Sequence, residues 1–380
     1  MKIVTDVDVL ANASKTGVYY YVQRLFHALL LLDKGNDYVL AHFGESNGDS
    51  ELGLPVGSNS VKKASRFPRG LFNLLLRTPF ALPFDLVTGT KGDLFVFTKF
   101  VRYPLLRRRK SVVFIYDTSF IDYPDLVETW HFRRYLQWAV PRSVKRASHV
   151  VAISEATKRS LVKYCNADPK KISVVTPALD HSVFKPAAQE EIEQVKAKYG
   201  IDKPYILSVG TIEPRKNLVG LLRAFALVPP ELSDKYALVL AGGKGWLDTE
   251  INELYDELSK RMTIIRTGYV PTDDLPMLYS GSRVFVFPSL FEGFGMPPLE
   301  AMACGAPVIT TNNSSLPEVV GDAGVLVQAE DAQQLAREIE ELLVQPQRAD
   351  ELRALGLARA QSFTWELSAK ALLDVLNKTK

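Results

Sequence analysis

The sequence predicts an α/β protein made of two doubly wound, Rossmann-like domains in tandem, facing one another across a cleft. Three observations carry that prediction. Strand-like and helical stretches alternate along the chain, the order expected of parallel sheets with crossover helices. Apolar runs such as VFVFP at 284–288 and ALVLAG at 237–242 are uninterrupted, as in strands buried on both faces. The alternation also begins twice, on either side of a Lys/Glu-rich segment at 186–200, and 380 residues suits two domains of ~100–200 residues each.

The first half opens with an apolar strand at 2–7 and an irregular stretch containing Gly17. A helix follows in which Val18, Val22, Leu25, Phe26 and Leu29 share one face. Further strands are expected at 38–43, 94–97, 112–116, 149–153 and 172–175, with Ser154 capping the helix after the fourth of these and Glu155 in its first turn. In the second half, strands are expected at 204–209, 237–241, 263–267, 284–288, 307–310 and 325–327. Helices fall near 217–228, 249–260, 272–281, 297–304, 331–344 and 347–361. The resulting domains are 1–185 and 186–362, with residues 363–380 forming a last helix that packs back toward the first domain. The carboxyl ends of the strands should line the cleft, where such sheets bind ligands.

Composition excludes several classes. Hydrophobic residues make up 47 % and charged residues 23 %, which is neither disordered, collagen-like nor coiled-coil. Cys165 and Cys304 form no CxxC or Cys/His pattern, so neither a disulfide framework nor a structural zinc site is expected. Asp6 and Asp8 stand where a signal peptide needs an apolar core, and no run approaches the ~18–20 apolar residues of a spanning helix. A cytoplasmic protein is expected. Cys304 and the lone histidines His131 and His149 are read as structural.

Net charge is only +3, but residues 1–180 carry 26 basic and 16 acidic side chains while the remainder carries 20 and 27. A basic half seeks an anionic partner. Residues 62–80 mix Lys62, Lys63, Arg66, Arg69 and Arg77 with Phe67, Leu71, Phe72, Leu74 and Leu75, and Arg102, Arg107, Arg108, Arg109 and Lys110 form a second cluster. These read either as a surface for an anionic membrane or as solvated loops. No recognition helix, RNP-type aromatic signature or zinc finger supports nucleic acid.

The most informative stretch is PSLFEGFGMPPLE at 288–300, between a buried strand and a helix. Gly293 and Gly295 permit positive φ and close backbone approach, and Pro297 or Pro298 fits the first helical position. Amides near Gly295 would then face a phosphate at a helix N-terminus. Glu292 and Glu300 would repel phosphate but can accept from hydroxyl groups of a sugar or ribose. A second strand end, VGTIEPRKNL at 209–218, supplies Gly210 for a tight turn and Arg215 and Lys216 for a diphosphate. A third, AGGKGW at 241–246, matches neither GxGxxG nor a Walker loop.

In their order and spacing these pieces, with GYVPTDDLPMLYSGSRVFVFPS and SSLPEVVGDAGVLV, resemble the donor half of the retaining, nucleotide-sugar-dependent glycosyltransferases of family 4, which have the GT-B fold. KTGVYYYVQRL, FIYDTSFIDYP, RASHVVAISEATKRSLV and KISVVTPALD resemble the acceptor half, so the likeness covers nearly the whole chain. It implies that Arg215 and Lys216 bind the donor diphosphate and stabilise the charge of the departing group. Glu292 would hold donor-sugar hydroxyls, and the amides of Gly293, Phe294 and Gly295 would contact sugar and phosphate. Glu300 would accept from ribose, and Gly17 would bring the first loop to the diphosphate. Many members carry His-Asp where this chain has Tyr116-Asp117. Tyr116 is a poor base near neutral pH, and Asp117 either orients the acceptor or caps the next turn.

The resemblance also implies retention of configuration without an enzyme-bound covalent intermediate, a leaving-phosphate oxygen taking the acceptor proton. No DxD signature stands at a strand end, since Asp273 and Asp274 read as a helix first turn, so no cofactor or metal is expected. Similarity to bacterial mannosyltransferases of O-antigen, capsule and exopolysaccharide assembly points to a GDP-mannose donor and a glycan acceptor linked to polyprenyl diphosphate, handled at the inner membrane face. A UDP-linked hexose is the alternative donor, and a catalytically silent nucleotide-sugar-binding subunit the non-transferase alternative.

Overall fold

The computed structural model describes residues 1–11, 16–44, 52–55, 57, 59–78, 80–126, 129–246 and 249–379. The chain forms two compact units, Met1–Ala178 with Thr364–Lys380 and Leu179–Phe363.

The first unit holds a seven-stranded sheet of β1 (Lys2–Asp6), β2 (Asp37–Phe43), β3 (Ser60–Ser65), β4 (Leu94–Phe97), β5 (Lys110–Ile115), β6 (His149–Ala152) and β7 (Ile172–Val174), in the order β3-β2-β1-β4-β5-β6-β7. The second holds a six-stranded sheet of β8 (Tyr205–Val209), β9 (Ala237–Ala241), β10 (Ile264–Gly268), β11 (Val284–Phe287), β12 (Val308–Thr311) and β13 (Val325–Val327), in the order β10-β9-β8-β11-β12-β13. Every pairing is parallel. Both orders are doubly wound, and the strand order reverses between β1 and β4 and between β8 and β11. Those two switch points are where such sheets take ligands. The central strands β4, β9 and β11 are buried at every position, as their unbroken apolar sequences require.

One strand escapes sequence reading. β3 (SVKKAS) is an edge strand with two of its six residues exposed, and its two lysines hide any apolar alternation. Residues 62–80 are therefore not one basic, apolar surface piece. Lys62 and Lys63 sit in the sheet, and Phe72 of helix Arg69–Leu75 enters the core beside Phe43 and Phe84. Arg69 is drawn inward to Asp8, 2.9 Å away.

The units divide after Ala178, not after residue 185. The Leu179 amide donates to the Phe363 carbonyl at 3.2 Å, and the Phe184 ring packs 6.4 Å from that of Tyr279. Residues 179–185 thus belong to the second unit. Helix Trp365–Lys378 belongs to the first. Thr364 caps it, Ala369, Leu372, Val375 and Leu376 are buried, and Ser368 Oγ donates to the Thr176 carbonyl at 2.7 Å. Trp365 packs 6.0 Å from Tyr21 on helix Gly17–Leu32. Among the described residues, no helix is long and apolar enough to cross a membrane.

Candidate active site

The second unit collects its chemistry at the carboxyl ends of β8 and β11, the two strands that flank its switch point. β8 ends at Gly210, whose φ of +153° only glycine adopts with ease. The turn lies so close to the neighbouring strand end that a Cβ on Gly242 would fall 1.9 Å from the Gly210 carbonyl oxygen. A single 3₁₀ turn, Pro214–Lys216, then presents Arg215 and Lys216 side by side, and Asn217 in the left-handed region caps helix Leu218–Leu227 by accepting from the Gly220 amide at 3.2 Å.

β11 delivers the partner. Glu292 Oε1 accepts from Lys216 Nζ and from Ser289 Oγ, both at 2.7 Å, and its Oε2 lies 2.7 Å from Arg215 Nη1. The two loops are also joined through the backbone, the Leu290 amide donating to the Arg215 carbonyl at 2.8 Å. Arg215 makes two further bonds, to the Phe291 carbonyl at 3.0 Å and to the buried Glu213 carboxylate at 2.6 Å. Lys216 lies 4.6 Å from the Phe287 ring centre. Burial alone would raise the Glu292 carboxyl, but Lys216, Arg215 and the Ser289 hydroxyl outweigh it and hold its pKa at about 2. Burial lowers the Lys216 ammonium, and Glu292 opposes that shift. The result is a desolvated, fixed pair of cations on one carboxylate.

Gly295, at φ +116°, caps helix Met296–Ala303, which therefore starts one residue before the prolines and places Pro297 at its second position. A Cβ on Gly295 would press 2.8 Å from Leu316 Cδ2. Ser315 Oγ donates to the carbonyls of Glu292 and Phe294 at 2.9 and 2.6 Å, and the Ser314 hydroxyl accepts from the Glu292 amide at 2.9 Å. Phe294 is buried against Phe363. Glu300, one helical turn further on, receives the Tyr279 hydroxyl at 2.9 Å, and burial raises its pKa to about 7.

The sequence thus brings Gly210, Arg215, Lys216, Glu292, Gly293, Phe294, Gly295 and Glu300 to one edge of one sheet. It missed Glu213 and Ser289 as partners, although both lie inside the motifs that signalled the site. It also missed Tyr279 and Ser315, which only the folded chain brings near. In the first unit Gly17 is the first residue of helix Gly17–Leu32, where a Cβ would meet nothing within 4 Å, while residues 12–15 of its loop lie outside the described residues. Tyr116 is buried and its hydroxyl donates to the Thr98 carbonyl. Burial, with the Tyr21 and Asp6 side chains, raises its pKa well above the usual value, so it serves the fold and not as a base. Asp117 Oδ1 accepts from the Ser119 amide and hydroxyl at 2.9 and 2.7 Å, closing the turn after β5. Asp274 answers Lys198 and Tyr199, each at 2.6 Å. Among the described residues no three His, Cys, Asp or Glu side chains gather as metal ligands.

Two doubly wound parallel domains, the second with adjacent cations and the carboxylates of Glu292 and Glu300 at its switch point, form a site suited to an anionic ligand that also carries hydroxyl groups. Comparison with known proteins gives the family. Residues 189–373 match the profile of glycosyl transferases group 1 and residues 17–183 that of glycosyltransferase family 4. The chain belongs to this family. It is 36 % identical over 264 residues to the O-antigen chain mannosyltransferase B of Escherichia coli, covering 68 % of each chain. It is 35 % identical over 237 residues to the serotype-specific mannosyltransferase WbdA of E. coli, covering 60 % of this chain but only 29 % of that longer protein. HepE of Anabaena, solved with UDP and glucose, shares the fold over 100 % of both chains with a TM-score of 0.73 at 18 % identity.

Proposed function

We propose that this glycosyltransferase moves mannose from GDP-mannose, with retention, to a glycan acceptor carried on a polyprenyl diphosphate during assembly of a cell-surface polysaccharide. The observation that carries the reading is the Arg215–Glu292–Lys216 constellation, a pair of held cations whose charge suits a departing diphosphate. The mannosyltransferases among its relatives support mannose. In the reaction, the bond from the sugar's anomeric carbon to the β-phosphate oxygen breaks. The acceptor oxygen bonds to that carbon on the same face, and its proton passes to an oxygen of the departing GDP. Lys216, with one donor on Glu292, turns its others to the diphosphate. Arg215, bonded to Glu213, Glu292 and Phe291, acts by charge and by holding the two loops together. Glu292 accepts from sugar hydroxyls, the amides of Gly293, Phe294 and Gly295 meet sugar and phosphate, and Glu300 accepts from ribose. Gly17 admits the diphosphate, and Asp117 orients the acceptor.

The two cations supply the charge a divalent metal provides elsewhere, so activity should survive a chelator. The enzyme works at the cytoplasmic membrane surface. Helix Trp130–Arg146 supports this, with five basic residues, no acidic one, and Trp130 and Trp138 exposed by about half.

The test is a thermal-shift panel of GDP, UDP, ADP and dTDP at equal concentration, followed by transfer assays with the matching sugars. A ligand at ~100 times its Kd stabilises by roughly 2.7 kcal/mol. A shift with GDP alone upholds the donor. A shift with UDP alone replaces it with a UDP-hexose, and full nucleotide binding without transfer or donor hydrolysis sinks the enzyme reading.

A further inference from the structure

A second basic site lies in the first unit, where the function so far assigned places no charge chemistry. At the carboxyl ends of β2 and β3 an open cavity of about 1350 Å³ is lined by Lys62, Lys63, Arg66 and Arg69, with no carboxylate among its described lining residues. Ligands of doubly wound sheets lie beyond this end of the strands. The cations differ in character. Arg69 is held by Asp8 at 2.9 Å and by the Phe43 carbonyl at 3.1 Å, so it is a fixed part of the wall. Lys63 and Arg66 are exposed at the rim.

His42, on β2, also lines the cavity but is only 4 % exposed, so it acts as wall and not as a donor to a ligand. The other walls are apolar, Phe67 and Leu86 among them. The volume exceeds the ~300–1,000 Å³ of most small-ligand pockets, far more than an inorganic anion occupies.

We propose that this cavity takes the diphosphate of a prenyl-linked sugar, the cations meeting the phosphates and the apolar wall meeting the first isoprene unit. The assignment rests on the acceptor reading above and names the part of the acceptor that the first unit recognises. It is separate from the donor diphosphate, which falls to Arg215 and Lys216 in the other unit.

The test uses the full chain with GDP at saturation, so that the donor site is filled. Farnesyl diphosphate is the probe, measured by calorimetry against the wild type, the Lys63→Gln/Arg66→Gln double variant and Lys216→Ala. Both rim side chains are exposed, and an unchanged melting temperature and GDP affinity check the fold of the double variant. The expected result is that wild type and Lys216→Ala bind the probe alike, while the double variant binds about tenfold more weakly or worse. Equal binding by the double variant, or none by the wild type, overturns the proposal. Two further arms separate the sources of phosphate. If inorganic pyrophosphate competes as well as farnesyl diphosphate, the cavity takes a free anion and the prenyl assignment fails. If the double variant instead loses adhesion to phosphatidylglycerol vesicles that contain no diphosphate, and probe binding is untouched, the cavity is a headgroup site and the proposal again fails. A wild type that binds the probe through Lys63 and Arg66, yet moves no sugar onto any prenyl-diphosphate glycan, would overturn the transfer reading and leave this site standing.

Discussion

Glu300 carries a stability cost, which the proposed ribose contact would explain and which can be measured. Burial raises its carboxyl to about 7 from an ordinary 4.5. Between those values the folded chain holds a proton that the unfolded chain releases, so stability falls as pH rises through this window. At 1.36 kcal/mol for each tenfold change, Glu300→Gln should stabilise by less than about 1 kcal/mol at pH 5 and by about 3 kcal/mol at pH 8. Gln keeps an acceptor for the Tyr279 hydroxyl, so little else changes. Urea unfolding of both proteins without ligand, at pH 5 and pH 8, gives the two differences. The same variant should bind the nucleotide about tenfold more weakly, because a neutral amide accepts less well from a ribose diol. A stability difference that is identical at the two pH values would refute the argument. It would mean that Glu300 is not desolvated in the absence of donor.

Lys216→Ala should lower kcat/KM by about 10²–10³, the usual effect of losing one charge contact to a developing anion, and donor hydrolysis should fall with it. Glu292→Gln should destabilise by about 3–5 kcal/mol in chemical denaturation, since it leaves Lys216 and Arg215 without their shared carboxylate. In the wild type that pairing is present above about pH 4.5 and is lost as pH falls toward about 2, so it sets no limb of a neutral pH–rate profile. Tyr116→Phe should leave kcat/KM within about threefold and cost about 1 kcal/mol of stability, because the hydroxyl serves the Thr98 carbonyl. Gly242→Ala should fail to reach the native melting temperature, its Cβ colliding with the Gly210 backbone.

Much of this was legible in the sequence because the buried strands declare themselves. β9 and β11 are apolar at each position, and the glycines after β8 and before helix Met296–Ala303 mark turns that other residues could not make. β3 was illegible for the opposite reason. An edge strand with Lys62 and Lys63 at its centre carries the charges that prevent stray pairing, and those same charges read as a loop. The site followed the same division. Arg215, Lys216 and Glu292 stand in recognisable motifs, whereas the pairing of Lys216 with Glu292, 76 residues apart in sequence, depends on β8 and β11 lying side by side. Tyr279 meets Glu300 only because helices Leu275–Gly281 and Met296–Ala303 pack together. Neither pairing is written into a local pattern.

The return of residues 364–380 to the first unit fixes an order of assembly. A ribosome releases residues 1–178 before the second unit, but the helix that covers helix Gly17–Leu32 with Leu372, Val375 and Leu376 is made only after it. The second unit is an unbroken stretch, 179–363, whose two ends are already hydrogen-bonded to each other through Leu179 and Phe363. It can therefore close as soon as it emerges. The first unit is thus completed after the second, and a nascent or truncated chain lacking residues 364–380 would expose an apolar helix face while its second unit stood complete.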